Sequence, residues 1–445
     1  MLSNADFAGA STETQYVLPD ADQHFVGKWG GDIGSGATVT YSFVDHDTYY
    51  FDAEIADVHW LNETNEAQSN FVDFTGAEIA AVRDAFEAWG EFSGLSFQEV
   101  AETKSGEQYN FGDIRLAKLD FDQWDNIVGD DTFDASAFAY LPNPYWEVAG
   151  DAFMPSNYSS AEWWQFVAMH EIGHSIGFGH THGDFSVPSA ADDSISNSVM
   201  SYNDSDFVFP EYPHNLMPWD IEAVQYLYGY SSVNSGHNTY SYSSADYIWE
   251  SMADTGGNDT LDLSNFSTNL TVTLEPGNWI DLGENHTIVA DSTFDGRDLY
   301  IPDNVVIENL TGGSGSDHLI GNASGNILTG KGGNDTLKGD EGNDYLYGGP
   351  GDNDTAVYLG NPGNYTITLN NDGTVTVTED GTYSEGTDTL TDIETIGFMG
   401  GTSSNTADDQ TIAVSSLTPP NDHDVSTPTD ANADGNSISE SASDG

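Results

Sequence analysis

The chain of 445 residues contains no cysteine, which excludes disulfides and thiolate chemistry and leaves core burial and bound metal as the only means of bracing it. Basic residues are almost as scarce. Lys and Arg number 8 against 74 Asp and Glu, a formal charge of −66, which excludes binding to a nucleic-acid backbone. So one-signed a surface repels itself, and the expectation is adaptation to marine or hypersaline water, where salt screens the repulsion. No apolar run is long enough for a transmembrane helix, so no stable membrane insertion is expected. The opening Met1-Leu2-Ser3-Asn4-Ala5-Asp6 lacks the basic-then-apolar order of a signal peptide.

What is present begins with His170-Glu171-Ile172-Gly173-His174-Ser175-Ile176-Gly177-Phe178-Gly179-His180. On a helix, His170 and His174 lie four residues apart on one face, so both imidazoles can reach one metal ion. Glu171, one step round, can reach a metal-bound water without taking a coordination position, which suits a general base. Gly177 allows a sharp turn after the helix, bringing His180 in from another direction as third ligand. Three protein ligands leave a position for water, the mark of a catalytic zinc site, and one zinc is expected. His182 has no place in this ligand set and reads as a surface histidine or a contact behind the ligands.

The residues around the motif read as scaffold. Ala37–Phe43 alternates as a strand, and Thr75-Gly76-Ala77-Glu78 is a capping-box signature. Ile79, Val82, Phe86 and Trp89 then recur at helical spacing, and Gly94 supplies a stop. Ser159-Ser160-Ala161-Glu162 signals the start of the motif helix, whose Trp163, Trp164, Phe166 and Val167 are core residues. Pro218 to Gly229 opens with proline and closes with glycine, as a helix does. A domain boundary is expected near 230, where composition shifts to Ser, Asn, Gly and Tyr.

Beyond it a nine-residue period places glycines at 312, 321, 330, 339 and 348. Each copy reads as a turn and then a strand, with Leu319, Leu328, Leu337 and Leu346 pointing inward. Gly312, Gly315 and Asp317, then Gly330, Gly333 and Asp335, then Gly339, Gly342 and Asp344 form the turns, where carbonyls and carboxylates offer hard oxygen ligands to several calcium ions. Asn326 replaces Asp in the copy at 321–329, and either Asn353 or Asp354 could fill the position in the last copy. Tyr365–Leu369 and Thr374–Thr378 flank Asn370-Asn371-Asp372-Gly373, a hairpin signature.

The eleven-residue motif followed by Ser198-Val199-Met200-Ser201-Tyr202 resembles the metzincin zinc endopeptidases, with Met200 in the Met-turn beneath the metal. The Val-Met-Ser-Tyr form resembles the serralysin branch, secreted bacterial proteases with a C-terminal calcium-binding β-roll. The resemblance implies that Tyr202 ligates zinc and then swings to assist the tetrahedral intermediate. It also implies that Asp259, in the opening of the roll, and Glu308 ligate calcium. Gly112–Leu116 and Ala137–Pro142 resemble the family's next strands, the second being an edge strand over the cleft that can pair with an extended peptide.

The fold expected is therefore an α/β (α+β) metzincin domain at 21–230, an all-β parallel roll at 231–360 and a hairpin extension at 361–400. Residues 1–20 read as a propeptide or arm, and 401–445 as a disordered acidic tail carrying a secretion signal. The function expected is a secreted, monomeric zinc endopeptidase acting on protein or peptide substrates. Type I secretion machinery is the expected export partner, with low internal calcium keeping the roll unfolded until outside. The ending Glu440-Ser441-Ala442-Ser443-Asp444-Gly445 departs from the acidic-then-apolar close common in that family. A calcium-dependent adhesion module with an inactive zinc domain is the alternative.

Overall fold

The computed structural model describes residues 10–11, 14, 17–18, 27–44, 71–105, 108–119, 137–142, 149–157, 160–182, 188–189, 192–203, 212–246, 248–283, 297–351, 353–400 and 410–418. The first domain is a five-stranded sheet backed by helices. Strands β1 (Ala37–Phe43), β2 (Leu95–Glu99), β3 (Ile114–Leu119), β4 (Phe138–Ala139) and β5 (Ala152–Pro155) lie in the order β2-β1-β3-β5-β4. All neighbours are parallel except β4, which runs antiparallel to β5 at the edge. The expected edge strand is thus present but only two residues long.

Helix α1 (Gly76–Glu91) starts at the capping box: Thr75 Oγ1 accepts from Glu78 N at 3.3 Å, and Glu78 Oε2 accepts from Thr75 N at 2.6 Å. The same Glu78 oxygen accepts from Lys118 Nζ at 2.7 Å, a buried ion pair that ties the start of α1 to the central strand. Arg115, one of the few other cations, makes a two-pronged pair with Glu102. These pairs leave neither buried cation without a counter-charge. Helix α2 (Ala161–Ser175) is capped by Ser160, whose hydroxyl accepts from Trp163 N at 3.1 Å. It packs on α1 through Trp89, which donates its indole N–H to Met169 O at 2.9 Å and stacks on Phe178. Helix α3 (Pro218–Tyr228) has proline in its first turn and ends at Gly229, whose φ is 75°. Its Tyr228 hydroxyl donates to Ile176 O at 2.6 Å, bracing the end of α2.

The second domain resolves the nine-residue period into its physical unit. Nine residues make half a coil, so successive repeats go to opposite sheets. Leu261, Leu310, Leu328, Leu346 and Leu390 pair in register up one sheet. Val272, Leu319, Leu337, Ala356 and Ile396 pair up the other. All ten are essentially inaccessible to solvent, so the two rows form one core between thin sheets of three- to five-residue strands. Strands Tyr365–Leu369 and Val375–Glu379 form the expected hairpin, after which Thr387–Thr391 and Thr395–Phe398 return to the parallel sheets and add a further coil.

One expectation at the C-terminal end changes. Residues 410–418 of the expected tail are part of the fold: Gln410–Ala413 pairs antiparallel with Thr395–Phe398, because Ile412, Val414 and Leu417 have an apolar face to lay on the roll's core. The remainder of 401–445 lies outside the described residues. At the other end, most of residues 1–20 lie outside them too. The described part is docked: Val17 and Leu18 are fully buried, Val17 O accepts from Gly179 N at 2.9 Å, and Ser11 donates to Glu222 at 2.7 Å. The chain boundary near 230 is not a break in packing. Trp249 belongs to the first domain's core, and Asn215 and Ser251 exchange hydrogen bonds of 2.9 and 2.7 Å across it. Among the described residues, no helix is long and apolar enough to cross a membrane.

Candidate metal centre

The end of α2 builds the centre. His170 and His174 project from its last turns, and Phe178 N closes the helix by donating to Gly173 O at 2.9 Å. Gly177 has φ 112°, a conformation that side chains with a Cβ adopt with strain, and the chain turns there to deliver His180. One nitrogen from each of His170, His174 and His180 lies within 4.8 Å of the others, and Nε2 of His174 is 3.0 Å from Nε2 of His180.

Backbone carbonyls aim two of the rings. His170 Nδ1 is 2.7 Å from Val199 O and His174 Nδ1 is 2.8 Å from Phe178 O. A carbonyl can only accept, so both rings carry their proton on Nδ1 and turn the Nε2 lone pair inward. His170 Nε2 is then a buried atom without a hydrogen-bond partner, as is Glu171 Oε2. Burial, chiefly, lowers His174 to about 4 and His180 to about 3, and takes His170 well below its ordinary value. Three neutral imidazoles converging on a point with an orphaned lone pair are the donor set zinc requires. Glu171 is 4 % exposed, and burial raises its carboxyl to about 8.

Tyr202 Oη is 2.6 Å from His180 Nε2, yet the residue is 59 % exposed. Met200 is fully buried beneath the site, and a Cβ on Gly173 would come within 2.5 Å of its sulfur. The glycine inside the motif is therefore the seat of the methionine. His182 is exposed and stacks on His180 at 5.0 Å with the rings 8° from parallel.

A residue the sequence did not single out holds the Met-turn. Asp220, fully buried in the first turn of α3, accepts from Ser198 Oγ at 2.6 Å, Val199 N at 2.7 Å and Met217 N at 3.1 Å. It thereby holds the backbone N–H of Val199, the residue whose carbonyl aims His170. Burial raises this carboxyl to about 7 against the pull of those three donors. An acidic residue near a helix start reads from sequence only as a favourable charge on the dipole.

Residues 69–229 match the family model described as Matrixin, and residues 219–395 match the one described as Peptidase M10 serralysin C terminal. The chain belongs to the serralysin-type metzincins. It is 29 % identical to Serralysin G of Dickeya chrysanthemi over 328 residues, covering 66 % of this chain and 61 % of that protein. To Serralysin of Proteus mirabilis it is 29 % identical over 349 residues, covering 68 % and 65 %. To Serralysin B of Dickeya chrysanthemi it is 30 % identical over 327 residues, covering 66 % and 60 %. The chain thus spans less than two thirds of the length of these relatives.

The second half of this serralysin-type chain carries a ladder of carboxylates. Asp317 N donates to Asp335 Oδ1 at 2.8 Å, Asp335 N to Asp354 Oδ1 at 2.7 Å, and Asp354 N to Glu394 Oε2 at 2.7 Å. On the other side Asn326 N donates to Asp344 Oδ1 at 2.8 Å, and Asp344 N to Asp388 Oδ1 at 2.9 Å. Near the start of the roll, Asp259 N donates to Glu308 Oε2 at 2.8 Å. Oδ1 of Asp335, Asp344 and Asp354 is so used, and Asp259 Oδ1 accepts from Asn238 N. Oδ2 of these four, Asp259, Asp335, Asp344 and Asp354, is buried without a partner, whereas both oxygens of Asp317 accept, from Leu270 N at 2.9 Å and Gly313 N at 2.7 Å. Such orphaned anionic oxygens fit a hard cation.

The repeat glycines keep the cradle tight. A Cβ on Gly312, Gly330 or Gly339 would lie 2.6, 2.3 or 1.9 Å from the carboxylate of Asp317, Asp335 or Asp344. Across the turns, a Cβ on Gly315, Gly333 or Gly342 would meet a carbonyl of the neighbouring coil at 2.3, 2.1 or 2.6 Å. Asn326 differs from its neighbours: its amide donates to Glu308 O at 2.9 Å and its oxygen accepts from Asn322 N at 2.8 Å, so it satisfies itself without an ion. Asp354, not Asn353, takes the ladder position in the last copy. Sequence reading did not reach Asp388 and Glu394, which close the ladder from outside the nine-residue period. It also did not reach Asn238, whose buried Oδ1 is likewise unpartnered while its N–H donates to Asp259 at 2.6 Å.

Proposed function

We propose that this chain is a secreted zinc endopeptidase whose β-roll is folded by calcium. The observation that carries the reading is the convergence of three neutral imidazoles beside the unpartnered carboxylate oxygen of Glu171. Zinc held by His170, His174 and His180 would supply Lewis-acid polarisation of water and of the scissile carbonyl.

The chain's own groups do the rest. Val199 O and Phe178 O hold two of the rings in their tautomer and direction. Glu171 Oε2 takes a proton from the attacking water as its oxygen adds to the carbonyl carbon, then passes that proton to the leaving nitrogen as the C–N bond breaks. Tyr202 Oη–H, released from His180, donates to the developing oxyanion, and the ring's exposure leaves it room to move. The edge of β4 offers main-chain groups to an extended peptide, which binds with little demand on sequence.

Calcium at Asp259, Glu308 and the turns carrying Asp317, Asp335, Asp344 and Asp354 would neutralise the buried, unpartnered Oδ2 of Asp259, Asp335, Asp344 and Asp354. A roll of this kind stays unfolded where calcium is low, which suits one-step export through type I secretion machinery followed by folding outside. The test is Glu171→Gln. It should retain zinc and lose about 10²- to 10⁴-fold of casein hydrolysis, whereas retained hydrolysis would remove Glu171 from its role. A gelatin zymogram that stays uncut with and without chelator would favour an adhesion module instead.

A further inference from the structure

Thr181 follows His180 and is fully buried; Ser201 precedes Tyr202 and is 2 % exposed. Both hydroxyls donate to the same oxygen, Asp193 Oδ1, at 2.5 and 2.6 Å. The carbonyl of Asp193 also accepts from Asn203 Nδ2 at 2.7 Å, and Asn203 N donates back to Ser201 Oγ at 3.0 Å. The residues on either side of Tyr202 are therefore pinned to one aspartate, and so is the neighbour of His180.

We propose that Asp193 is a positioning residue that sets the distance between His180 and Tyr202 while leaving the tyrosine ring free to swing. His180 leaves a helix through a glycine turn and Tyr202 stands on a separate loop, so neither element fixes the other. The clamp supplies that link: its two hydroxyl bonds join backbone 20 residues apart in sequence, next to side chains whose Oη and Nε2 are 2.6 Å apart. Without it, rotation of either loop would change both the third metal ligand and the reach of the tyrosine. The inference rests on the metal centre read above.

The test compares Asp193→Ala, Asp193→Asn, Thr181→Val and Ser201→Ala with the wild-type chain in millimolar calcium. Zinc affinity is read by competition with a chromophoric chelator, and kcat and KM on a quenched peptide. Asp193→Ala should bind zinc about 10-fold more weakly and lose about 10- to 100-fold in kcat, with KM within about twofold. Asp193→Asn should recover most of both, because its amide oxygen accepts the same two hydroxyls. Wild-type zinc affinity and kcat in Asp193→Ala would overturn the clamp, as would an Asn variant impaired as badly as the Ala variant. If Asp193→Ala does not fold, the single-bond variants carry the test: Thr181→Val should weaken zinc binding and Ser201→Ala should lower kcat, and wild-type values in both would overturn it. A wild-type chain that binds no zinc would overturn the metal centre itself. Wild-type binding and cleavage with unchanged Asp193→Ala would overturn the clamp alone.

Discussion

Replacing Asp335 by Asn should change the stability of the roll in opposite directions with and without calcium. The amide keeps an oxygen to accept from Asp317 N, a bond of 2.8 Å, but removes the charge at the buried, unpartnered Oδ2. In the calcium-free protein, burial first and the charges of Asp317 and Asp354 after it raise the Asp335 carboxyl to about 6. Its folded value lies above its unfolded one, so the stability it contributes is present below about pH 4 and is lost as pH rises through about 6. At pH 7.5 the full penalty applies. About two units would correspond to ~3 kcal/mol, and solvent screening at this surface-proximal turn reduces that to about 1 kcal/mol. Asp335→Asn relieves it and should raise Tm in chelator by about 2–4 °C. With millimolar calcium the same change removes an anionic ligand, and a tenfold loss of affinity costs about 1.4 kcal/mol, so Tm should fall by a similar amount. Asn326, which satisfies itself without an ion, shows that the fold tolerates the amide at this position. Differential scanning calorimetry at pH 7.5 in chelator and in calcium reads both arms. Shifts of the same sign in both would refute the assignment of Asp335 to a cation.

Glu91 ends α1, and burial, then Glu87 and Glu250, raise its carboxyl to about 7. Its favourable contribution is present below about pH 4.5 and lost through about pH 7, so Glu91→Gln should add about 1–2 kcal/mol at pH 8 and nothing at pH 4.5 in chemical denaturation. Gly173→Ala places a methyl 2.5 Å from the Met200 sulfur and 2.9 Å from Trp89, and should cost about 1–3 kcal/mol and weaken zinc binding; an unchanged Tm would count against the tight seat. With a charge of −66, thermal stability in saturating calcium should rise from low salt to molar NaCl, and a chain most stable in low salt would contradict halophilic adaptation.

Features carried by local spacing were legible in the sequence. The capping box at Thr75, the cap at Ser160, the turn at Gly177 and the three histidines each depend on residues within a few positions, where periodicity and φ requirements leave a signature. The leucine ladder was legible for the same reason, but not its division between two sheets, because nine residues fix a half-coil only once the pairing partner is known. Asp220 and Asp193 were not legible: the bonds that give them their role reach 22 and 21 residues to Ser198 and Val199, and 12 and 8 to Thr181 and Ser201. Nothing in a single buried acid's neighbours announces such a contact. The order of residues 410–418 was not legible, because three apolar residues among many polar ones carry no visible pattern until a sheet edge is there to receive them.

The most direct test of the account is metal content measured together with proteolysis, after chelation and selective return of each ion. The account predicts one zinc per chain and several calcium ions. Calcium alone should restore the folded roll without cleavage, and calcium with zinc should restore both. Cleavage by the fully chelated chain, or by the calcium-restored chain without zinc, would contradict it.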